Sequence, residues 1–399
     1  MKTNKRIITL IITIMLTFAA CTSTTDTNIE ENAKTPENIK TPENIKNENE
    51  ETKYHKISVN SNITNDLNIL DTDLKDKQII FTAEYHGIKS NKELEIKFLK
   101  YVKEQTNFKY ILSEMPYSQA LKINEFLGTG ETSILDELFK YSKGTYAYAK
   151  ENYDMWLSIY EYNSSLDEND KIMVIGVDVE HQVSNAVRIM RELIPSSEAP
   201  KEIEDTINIL KNYSDIVNIK SAHEDLLNRA ELFKEYFKEK YFNIEMIVRN
   251  IKNLYYVRED MNLFDEKRDK IMYENFMDIH ETIEDGIFYG QWGHNHTYQS
   301  EENGLKWFAA YLNEEKFKDK ILTIAYAYNN CKYMGKTEDG GYMTENFDYF
   351  SADIPVAGNR ETAILFDIRD KASKYHEYSK YYQYMLVISD SEATTPFDE

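Results

Sequence analysis

The sequence predicts an α/β fold: a largely parallel central sheet flanked by helices, with a helical insertion subdomain between the third and fourth strands. Short apolar runs of strand character recur along the chain, and the segments between them carry apolar residues at helical spacing. Strands that alternate with helices are typical of a mainly parallel sheet covered on both faces. The region from about 183 to 283 is long, charged and helix-rich without a strand pattern, which predicts the insertion.

The predicted elements extend from residue 78 to residue 388. The strands are the apolar runs at 78–83, 110–113, 171–177, 286–289, 321–325, 363–366 and 385–388. A helix is predicted from Ser90, where Ser90 and Glu93 form a capping box, and others from Ser118 and over 152–166. The segment 128–150 contains several Gly and Ser residues and is predicted to be poor in helix.

Composition limits the class of protein. The 399 residues include 69 acidic and 47 basic side chains, for a formal net charge of −22. Because proteins bind nucleic acid mainly by neutralising phosphates with Lys and Arg, we expect no nucleic-acid partner. Hydrophobic residues make up 41% of the chain, which is enough for a sizeable core and argues against wholesale disorder.

The N-terminus has the pattern of a secretory signal peptide over residues 1–20. Basic residues precede a short apolar run at 7–16, and Ala19 and Ala20 stand directly before Cys21. This arrangement resembles the lipobox of bacterial lipoproteins, which implies lipidation of Cys21; an uncleaved N-terminal anchor is the alternative. We therefore expect a protein that is lipid-anchored to a bacterial cell membrane on its exported face.

Residues 21–56 are predicted to be a flexible tether between this lipid and one folded domain, 57–399. The segment is polar and repeats the hexapeptide Lys-Thr-Pro-Glu-Asn-Ile at 34–39 and 40–45. The second cysteine of the chain, Cys331, then has no disulfide partner within the chain, and we expect it to be a small buried apolar residue.

Carboxylates and histidines follow four of the predicted strands. They are Glu84 and His86 after the first strand, Glu114 after the second, Asp178 after the third, and His294 and His296 after the fourth. Because α/β proteins hold their ligands beyond the carboxyl ends of the strands, we expect these side chains to form one site. A carboxylate fixes the tautomer of a neighbouring histidine and raises its basicity, so this set suits water activation and proton transfer.

The same residues are also compatible with a metal centre, although no ligand is assigned. Glu84, His86, His294 and His296 are possible ligands of a divalent ion. The sequence has no nucleophile elbow, P-loop or dinucleotide-binding fingerprint. A hydrolase that works by general acid–base chemistry is the leading hypothesis, and we expect no cofactor to be required, with a divalent metal or haem as possible additions.

Other polar positions have structural interpretations. Glu180 and His181 are predicted to be residues at the start of the next helix, and an exposed ion-pairing role is the alternative for Arg268, which shares a helical stripe with Asn275. The remaining histidines stand in polar or helical contexts and are predicted to lie at the surface: His55, His223, His280 and His376.

Together these motifs resemble those of the erythromycin esterase-like family. The segments that carry the resemblance are 83–87, 112–114, 174–178, 268–275, 292–296, 365–369 and 394–396. The resemblance implies a hydrolase that acts on an ester or lactone-like bond of a small-molecule substrate. It also implies that His86 is the general base, that Glu84 or Glu114 orients it, and that His294 polarises the carbonyl or protonates the leaving group. The residues expected to line the substrate pocket are Asp178, Arg268, Asn275 and His296.

One departure from the family pattern keeps alternatives open. Glu84 and His86 are two residues apart where the family has three, and Ala83 replaces a glycine. The shorter spacing is similar to the start of related haem-binding lipoproteins, and Tiki-type metalloproteases are thought to share the wider fold. The alternatives are a surface lipoprotein that binds haem or a metal without catalysis, and a metal-dependent peptidase. Haem would take an axial ligand from Tyr85, His86, His294 or His296.

Overall fold

The computed structural model describes residues 54–213, 215–314, 316–337, 339–350, 358–371, 373 and 375–398. The predicted signal peptide, Cys21 and the tether up to residue 53 lie outside these described residues. Among the described helices, none combines the length and the apolar character that a membrane span requires.

A mixed sheet of nine strands forms the centre of the described fold. The strands are β1 (Tyr54–Ser58), β2 (Ile79–Glu84), β3 (Phe108–Pro116), β4 (Met173–Asp178), β5 (Ile287–Gly293), β6 (Ile321–Lys336), β7 (Tyr342–Tyr349), β8 (Thr362–Asp367) and β9 (Tyr384–Ser389). Their order is β1-β8-β9-β6-β2-β5-β3-β4, and β7 pairs with the second half of β6. The pairs β1–β8, β8–β9 and β6–β7 are antiparallel, and the other described pairs are parallel. The α/β prediction is therefore confirmed, with a sheet that is mostly parallel and antiparallel at one side.

Helices flank this sheet. They are α1 (Asp71–Leu74), α2 (Lys89–Gln105), α3 (Tyr117–Thr129), α4 (Thr132–Tyr141), α5 (Lys150–Ser164), α6 (Val183–Leu193), α7 (Glu204–Lys211), α8 (Ile216–Asn228), α9 (Ala230–Phe237), α10 (Tyr241–Arg258), α11 (Phe264–His280) and α12 (Phe308–Glu314). Helices α6 to α11 occupy the helix-rich stretch between β4 and β5. That this stretch is an insertion into the fold stays a prediction.

Burial of the central strands explains why their apolar runs could be predicted as strands. Every residue of β2 and of β9 is buried, and β2 lies between two parallel neighbours, β5 and β6. A parallel strand covered on both faces needs a near-continuous apolar sequence, because neither face meets water. Cys331 lies in β6 and is buried as predicted, and burial raises the pKa of its thiol to about 11.

Three elements differ from the sequence expectations. The strand β1 begins at Tyr54, so folded structure starts before residue 57, inside the range predicted to be tether. The helix α4 lies within 128–150, which was predicted to be poor in helix; Leu135, Leu138 and Phe139 bury its apolar face. The strand β7 was not predicted, because its residues are exposed or half-buried and lack an apolar run.

Two histidines predicted to lie at the surface are buried. Nε2 of His223 lies 3.0 Å from Oε1 of Glu245, and Nδ1 of His280 lies 3.0 Å from Nζ of Lys316. The prediction was wrong because each partner comes from a distant part of the chain and satisfies the buried imidazole, which the local sequence does not reveal.

Candidate active site

Strand β2 ends in a carboxylate–imidazole pair. Oε1 of Glu84 lies 2.5 Å from Nδ1 of His86. The carboxylate is 4% exposed, whereas the imidazole is 33% exposed, so the pair is anchored in the interior and open to solvent on one side. This is the geometry in which a carboxylate orients a histidine and strengthens it as a base.

A glycine turn fixes the position of His86. Gly87 has a φ of 83°, in the left-handed region that favours glycine, and its carbonyl oxygen accepts hydrogen bonds of 2.9 Å from the amides of Met334 and Thr394. A Cβ on Gly87 would lie 2.7 Å from the carbonyl oxygen of Met334. The turn that presents His86 is therefore packed directly against β6.

Asn91, in the first turn of α2, binds the oxygen of the Glu84 carboxylate that does not contact His86. Its side-chain amide donates to Oε2 of Glu84 and, at 2.7 Å, to the carbonyl oxygen of Tyr85, while its Oδ1 accepts from the hydroxyl of Tyr328 at 3.0 Å. Burial alone would raise the pKa of Glu84, but His86 and these hydrogen bonds hold it below its usual value. Asn91 was not predicted as a site residue; its only signal in the sequence is its place just after the Glu-x-His-Gly turn.

Arg268 from α11 joins the ends of β3 and β4. Its Nη2 donates to Oε1 of Glu114 at 2.6 Å and to Oδ2 of Asp178 at 2.7 Å, and its Nε donates to Oδ1 of Asp178 at 3.0 Å. Burial opposes the charge on both carboxyls. The pKa of Glu114 is nevertheless held well below the usual range by His296 and Arg268, and that of Asp178 by Arg268 and His181. The exposed ion-pairing alternative for Arg268 is therefore wrong, since its side chain is only 13% exposed and that of Asp178 2%.

His296 extends this network to Asp269. Its Nδ1 lies 2.8 Å from Oδ1 of Asp269, and its Nε2 lies 3.3 Å from Oε1 of Glu114. Burial alone would lower the pKa of His296, but the carboxylates of Asp269 and Glu114 raise it well above its usual value. Nη1 of Arg268 also lies 3.2 Å from Nε2 of His296. Asp269 is fully buried and was not assigned a role from the sequence.

Gly293 lies beside both the Glu84–His86 pair and the network that Arg268 and His296 form with Glu114. Its amide donates to Oε2 of Glu114 at 2.9 Å. A Cβ at this position would lie 3.1 Å from Oε2 of Glu114, 3.3 Å from Cδ2 of His296 and 3.7 Å from Cε1 of His86. A side chain here would therefore crowd Glu114 and His296 and would contact His86.

His294 has a different environment. It is 3% exposed and surrounded by aromatic rings, with centroids at 5.5 Å for Tyr85 and 5.2 Å for Tyr349. Neither ring nitrogen has a hydrogen-bond partner among the described residues. Burial lowers the pKa of His294 to about 3, so the imidazole is neutral over the physiological range. A buried group left unpaired costs about 1–3 kcal/mol, which makes this histidine a candidate for contact with a ligand.

Asn275, the last of the predicted pocket residues, and the two residues predicted to start the next helix have structural contacts. Asn275 donates to the carbonyl oxygen of Val177 at 2.7 Å and to Oδ1 of Asn250 at 2.9 Å, so it holds β4 rather than facing an opening. His181 lies 2.8 Å from Asp178. Glu180 is buried and accepts from the backbone and hydroxyl of one residue, Ser118, at the start of α3.

The four possible metal ligands do not fit one ion. Glu84 and His86 bind each other, His294 lies among aromatic rings, and His296 is bound to Asp269. Across the described part of the chain, no group of three or more His, Cys, Asp or Glu residues is placed to hold a metal ion.

Comparison with solved structures shows the fold. A Bacillus cereus protein superposes with a TM-score of 0.64 at 17% identity, covering 86% of this chain and 96% of its own. A succinoglycan biosynthesis protein gives 0.66 at 15% identity, with coverages of 85% and 94%. A histidine-to-asparagine mutant of the erythromycin esterase EreC, in its open conformation, gives 0.67 at 13%, with coverages of 87% and 100%. At these identities the likeness shows the α/β fold alone.

No family model matches the sequence, and no curated protein matches it. EreC is among the solved proteins that share this fold. Membership of the erythromycin esterase-like family itself stays a prediction.

Proposed function

We propose that the protein is a membrane-tethered lipoprotein hydrolase of erythromycin esterase-like type, which cleaves an ester or lactone-like bond with water activated by His86. The observation that carries the proposal is the pair formed by Glu84 and His86, whose 2.5 Å contact joins a buried carboxylate to a partly exposed imidazole. The fold it shares with EreC is consistent with this chemistry. The lipid on Cys21 and the exported location rest on the sequence pattern.

The proposed reaction begins with a water molecule at His86. With the Nδ1 hydrogen donated to Glu84, the lone pair that takes a proton from water is on Nε2. The water oxygen bonds to the ester carbonyl carbon, and the carbonyl electrons move onto its oxygen. When this intermediate collapses, the bond to the leaving oxygen breaks and the His86 imidazolium returns the proton to it. One ester and one water give one acid and one alcohol.

His294 is proposed to polarise the carbonyl as a neutral hydrogen-bond donor. A pKa of about 3 leaves almost no protonated imidazole at neutral pH, so His294 is unsuited to protonate a leaving group there. A neutral N–H donor at an oxyanion acts through the same electrostatic stabilisation as an oxyanion hole. Of the two roles that the resemblance offers for His294, carbonyl polarisation is therefore preferred.

A panel of 4-nitrophenyl esters and lactones in ¹⁸O-labelled water tests the proposal. We expect turnover of at least one compound, with one ¹⁸O atom in the carboxylate product, because the attacking oxygen comes from water. Activity should survive treatment with a chelator. No turnover across the panel, or turnover that stops on chelation and returns with zinc or manganese, would contradict the proposal.

Haem binding without catalysis is the second candidate, favoured by one observation. The unpaired imidazole of His294 stacks on the phenol of Tyr85, and both side chains are of types that ligate haem iron. A haem titration of the purified protein distinguishes the two. A Soret shift that His294→Phe abolishes, without ester turnover, would favour haem; turnover without a shift favours the hydrolase.

A further inference from the structure

We propose that the aromatic enclosure around His294 is the acyl-binding site of this hydrolase, and that it selects esters whose acyl group is an uncharged aromatic ring. The enclosure is defined by five side chains: Tyr85, Tyr298, Tyr349, Phe350 and Tyr382. This proposal rests on the proposed function, since it assigns the substrate class of the same site.

Five rings surround the imidazole of His294. Their centroids lie 5.5 Å (Tyr85), 5.7 Å (Tyr298), 5.2 Å (Tyr349), 6.1 Å (Phe350) and 5.4 Å (Tyr382) from its own. Aromatic walls at these separations favour a flat ring that stacks or meets them edge to face. An aromatic acyl group therefore matches the enclosure in shape and in polarity.

None of the five side chains that define the enclosure is a charged residue. Burial lowers the pKa of His294 to about 3, so its imidazole adds no charge at neutral pH. A carboxylate or ammonium carried into this space would lose its hydration without gaining a partner of opposite charge. The enclosure consequently discriminates against charged acyl groups.

The unpaired nitrogens of His294 provide the polar contact that an acyl group needs. Buried side-chain nitrogens are nearly always hydrogen-bonded, yet neither nitrogen here has a partner within the described chain. A carbonyl oxygen joined to the aromatic ring would accept the imidazole N–H. An aromatic acyl group would therefore both pack against the rings and accept a hydrogen bond from His294.

The outer wall of the enclosure is the side from which an acyl group would enter. Tyr85, Tyr349 and Phe350 are half-buried, whereas Tyr298 and Tyr382 are buried. Tyr349 ends β7, which pairs with β6 alone among the described strands. An edge strand held by one neighbour shifts more readily than the inner wall, so the acyl ring would displace Tyr349 and Phe350.

Residues that neighbour the water-activating pair in the sheet also line the enclosure. Tyr85 stands between Glu84 and His86 in the chain, and His294 follows Gly293, which pairs in register with Glu84. A Cβ on Gly293 would lie 3.7 Å from Cε1 of His86. An acyl group held in the enclosure would place its carbonyl carbon at the boundary between His294 and His86.

Substrate competition gives the first test. We expect kcat/KM for 4-nitrophenyl benzoate to exceed that for the 4-nitrophenyl monoester of succinate by roughly 100-fold. Tyr349→Ala and His294→Phe should each raise the KM for the benzoate roughly tenfold or more. The matched control is His280→Phe, which changes a buried histidine that also packs among phenylalanine rings, and it should leave KM unchanged.

Binding of benzamide, followed through the ¹⁵N signals of the histidine rings, tests the enclosure without turnover. Benzamide should shift the His294 signals in the wild type and should not bind His294→Phe. If benzamide binds but no ester is hydrolysed, the proposed function fails and the aromatic site stands. If benzoate and succinate esters are hydrolysed equally and His294→Phe keeps its KM, the enclosure proposal is overturned and the hydrolase stands. Haem ligation by His294 would also overturn it.

Discussion

Nδ1 of His296 lies 2.8 Å from Oδ1 and 2.9 Å from Oδ2 of Asp269, the residue that follows Arg268 on α11. Oδ1 of Asp269 also accepts the amide of Phe308 at 2.7 Å, which ties the start of α12 to the same point. Two consecutive residues of one helix thus hold the imidazole and the carboxylates of the network. This makes α11 the element that assembles the ends of β3, β4 and β5.

Asp269→Asn should lower the pKa of His296. The carboxylates of Asp269 and Glu114 raise that pKa against the effect of burial, so removing one negative charge leaves burial less opposed. The asparagine oxygen can still accept from Phe308, and the fold should persist. NMR titration of the His296 ring measures the change, with Glu274→Gln on the exposed face of α11 as the control. An unchanged His296 titration in Asp269→Asn would contradict the assigned contact.

Glu180→Gln should stabilise the protein at high pH. Burial raises the pKa of Glu180 to about 7, so the folded state holds this proton more tightly than the unfolded chain does. The wild type then loses stability as pH rises from the unfolded value toward 7, whereas the glutamine variant does not. Between pH 4 and pH 8, the unfolding free energy of Glu180→Gln relative to that of the wild type should rise by on the order of 3 kcal/mol.

Urea unfolding at a series of pH values measures this difference. Both contacts with Ser118 can be kept by glutamine, whose oxygen accepts the amide and whose NH₂ group donates to the hydroxyl. Glu198→Gln, at an exposed position, is the control. A difference between Glu180→Gln and the wild type that stays constant with pH would show that Glu180 is not held protonated.

Arg268→Met should destabilise the protein by about 3–5 kcal/mol at neutral pH, because it removes the guanidinium that pairs with the largely buried carboxylates of Glu114 and Asp178. The pKa of each carboxyl is depressed in the folded state, so this stabilisation is present above about pH 4 and is lost as pH falls. The deficit of Arg268→Met should therefore shrink on acidification.

The control for Arg268→Met is Arg188→Met, which breaks partly exposed ion pairs with Glu137 and Glu192 and should cost about 1 kcal/mol or less. Chemical denaturation at pH 7 and pH 4 gives both values. Equal losses for the two variants, or a deficit for Arg268→Met that grows in acid, would be inconsistent with a buried network held by Arg268.

The sequence was informative where one strand or helix carries its own signal. The runs at β2, β4 and β9 were readable because burial on both faces demands continuous apolar residues. The polar residues that end these runs could be located for this reason. Parallel pairing explains why Glu84, Glu114 and Asp178 reach one edge of the sheet.

The strands and site residues that were not predicted from the sequence depend on contacts with residues far away in the chain. β1 and β7 take their stability from pairing with β8 and β6, and their own residues are mostly exposed. Asn91 and Asp269 are ordinary polar residues on helices until Glu84 and His296 are placed beside them. The aromatic surroundings of His294 were equally hidden, because Tyr85, Tyr349 and Tyr382 come from distant parts of the chain.

Cys21→Ala should release the protein from the membrane. If Cys21 carries the lipid, its loss removes the anchor, and the chain should move from the membrane fraction to the soluble fraction on fractionation. Cys331→Ala is the matched control, because it removes the only other cysteine and leaves the lipobox intact. Membrane association that persists in Cys21→Ala and resists high salt would favour an uncleaved N-terminal anchor instead.

Hydrolysis by His86→Ala is the most direct test of the account. A positioned general base contributes roughly 10²–10⁴-fold in rate, so kcat/KM for the best ester of the panel should fall by that factor, with the urea midpoint kept. His55→Ala, on the exposed face of β1, should match the wild type. If purified His86→Ala hydrolyses the ester as fast as the wild type, His86 does not activate water and the central claim is wrong.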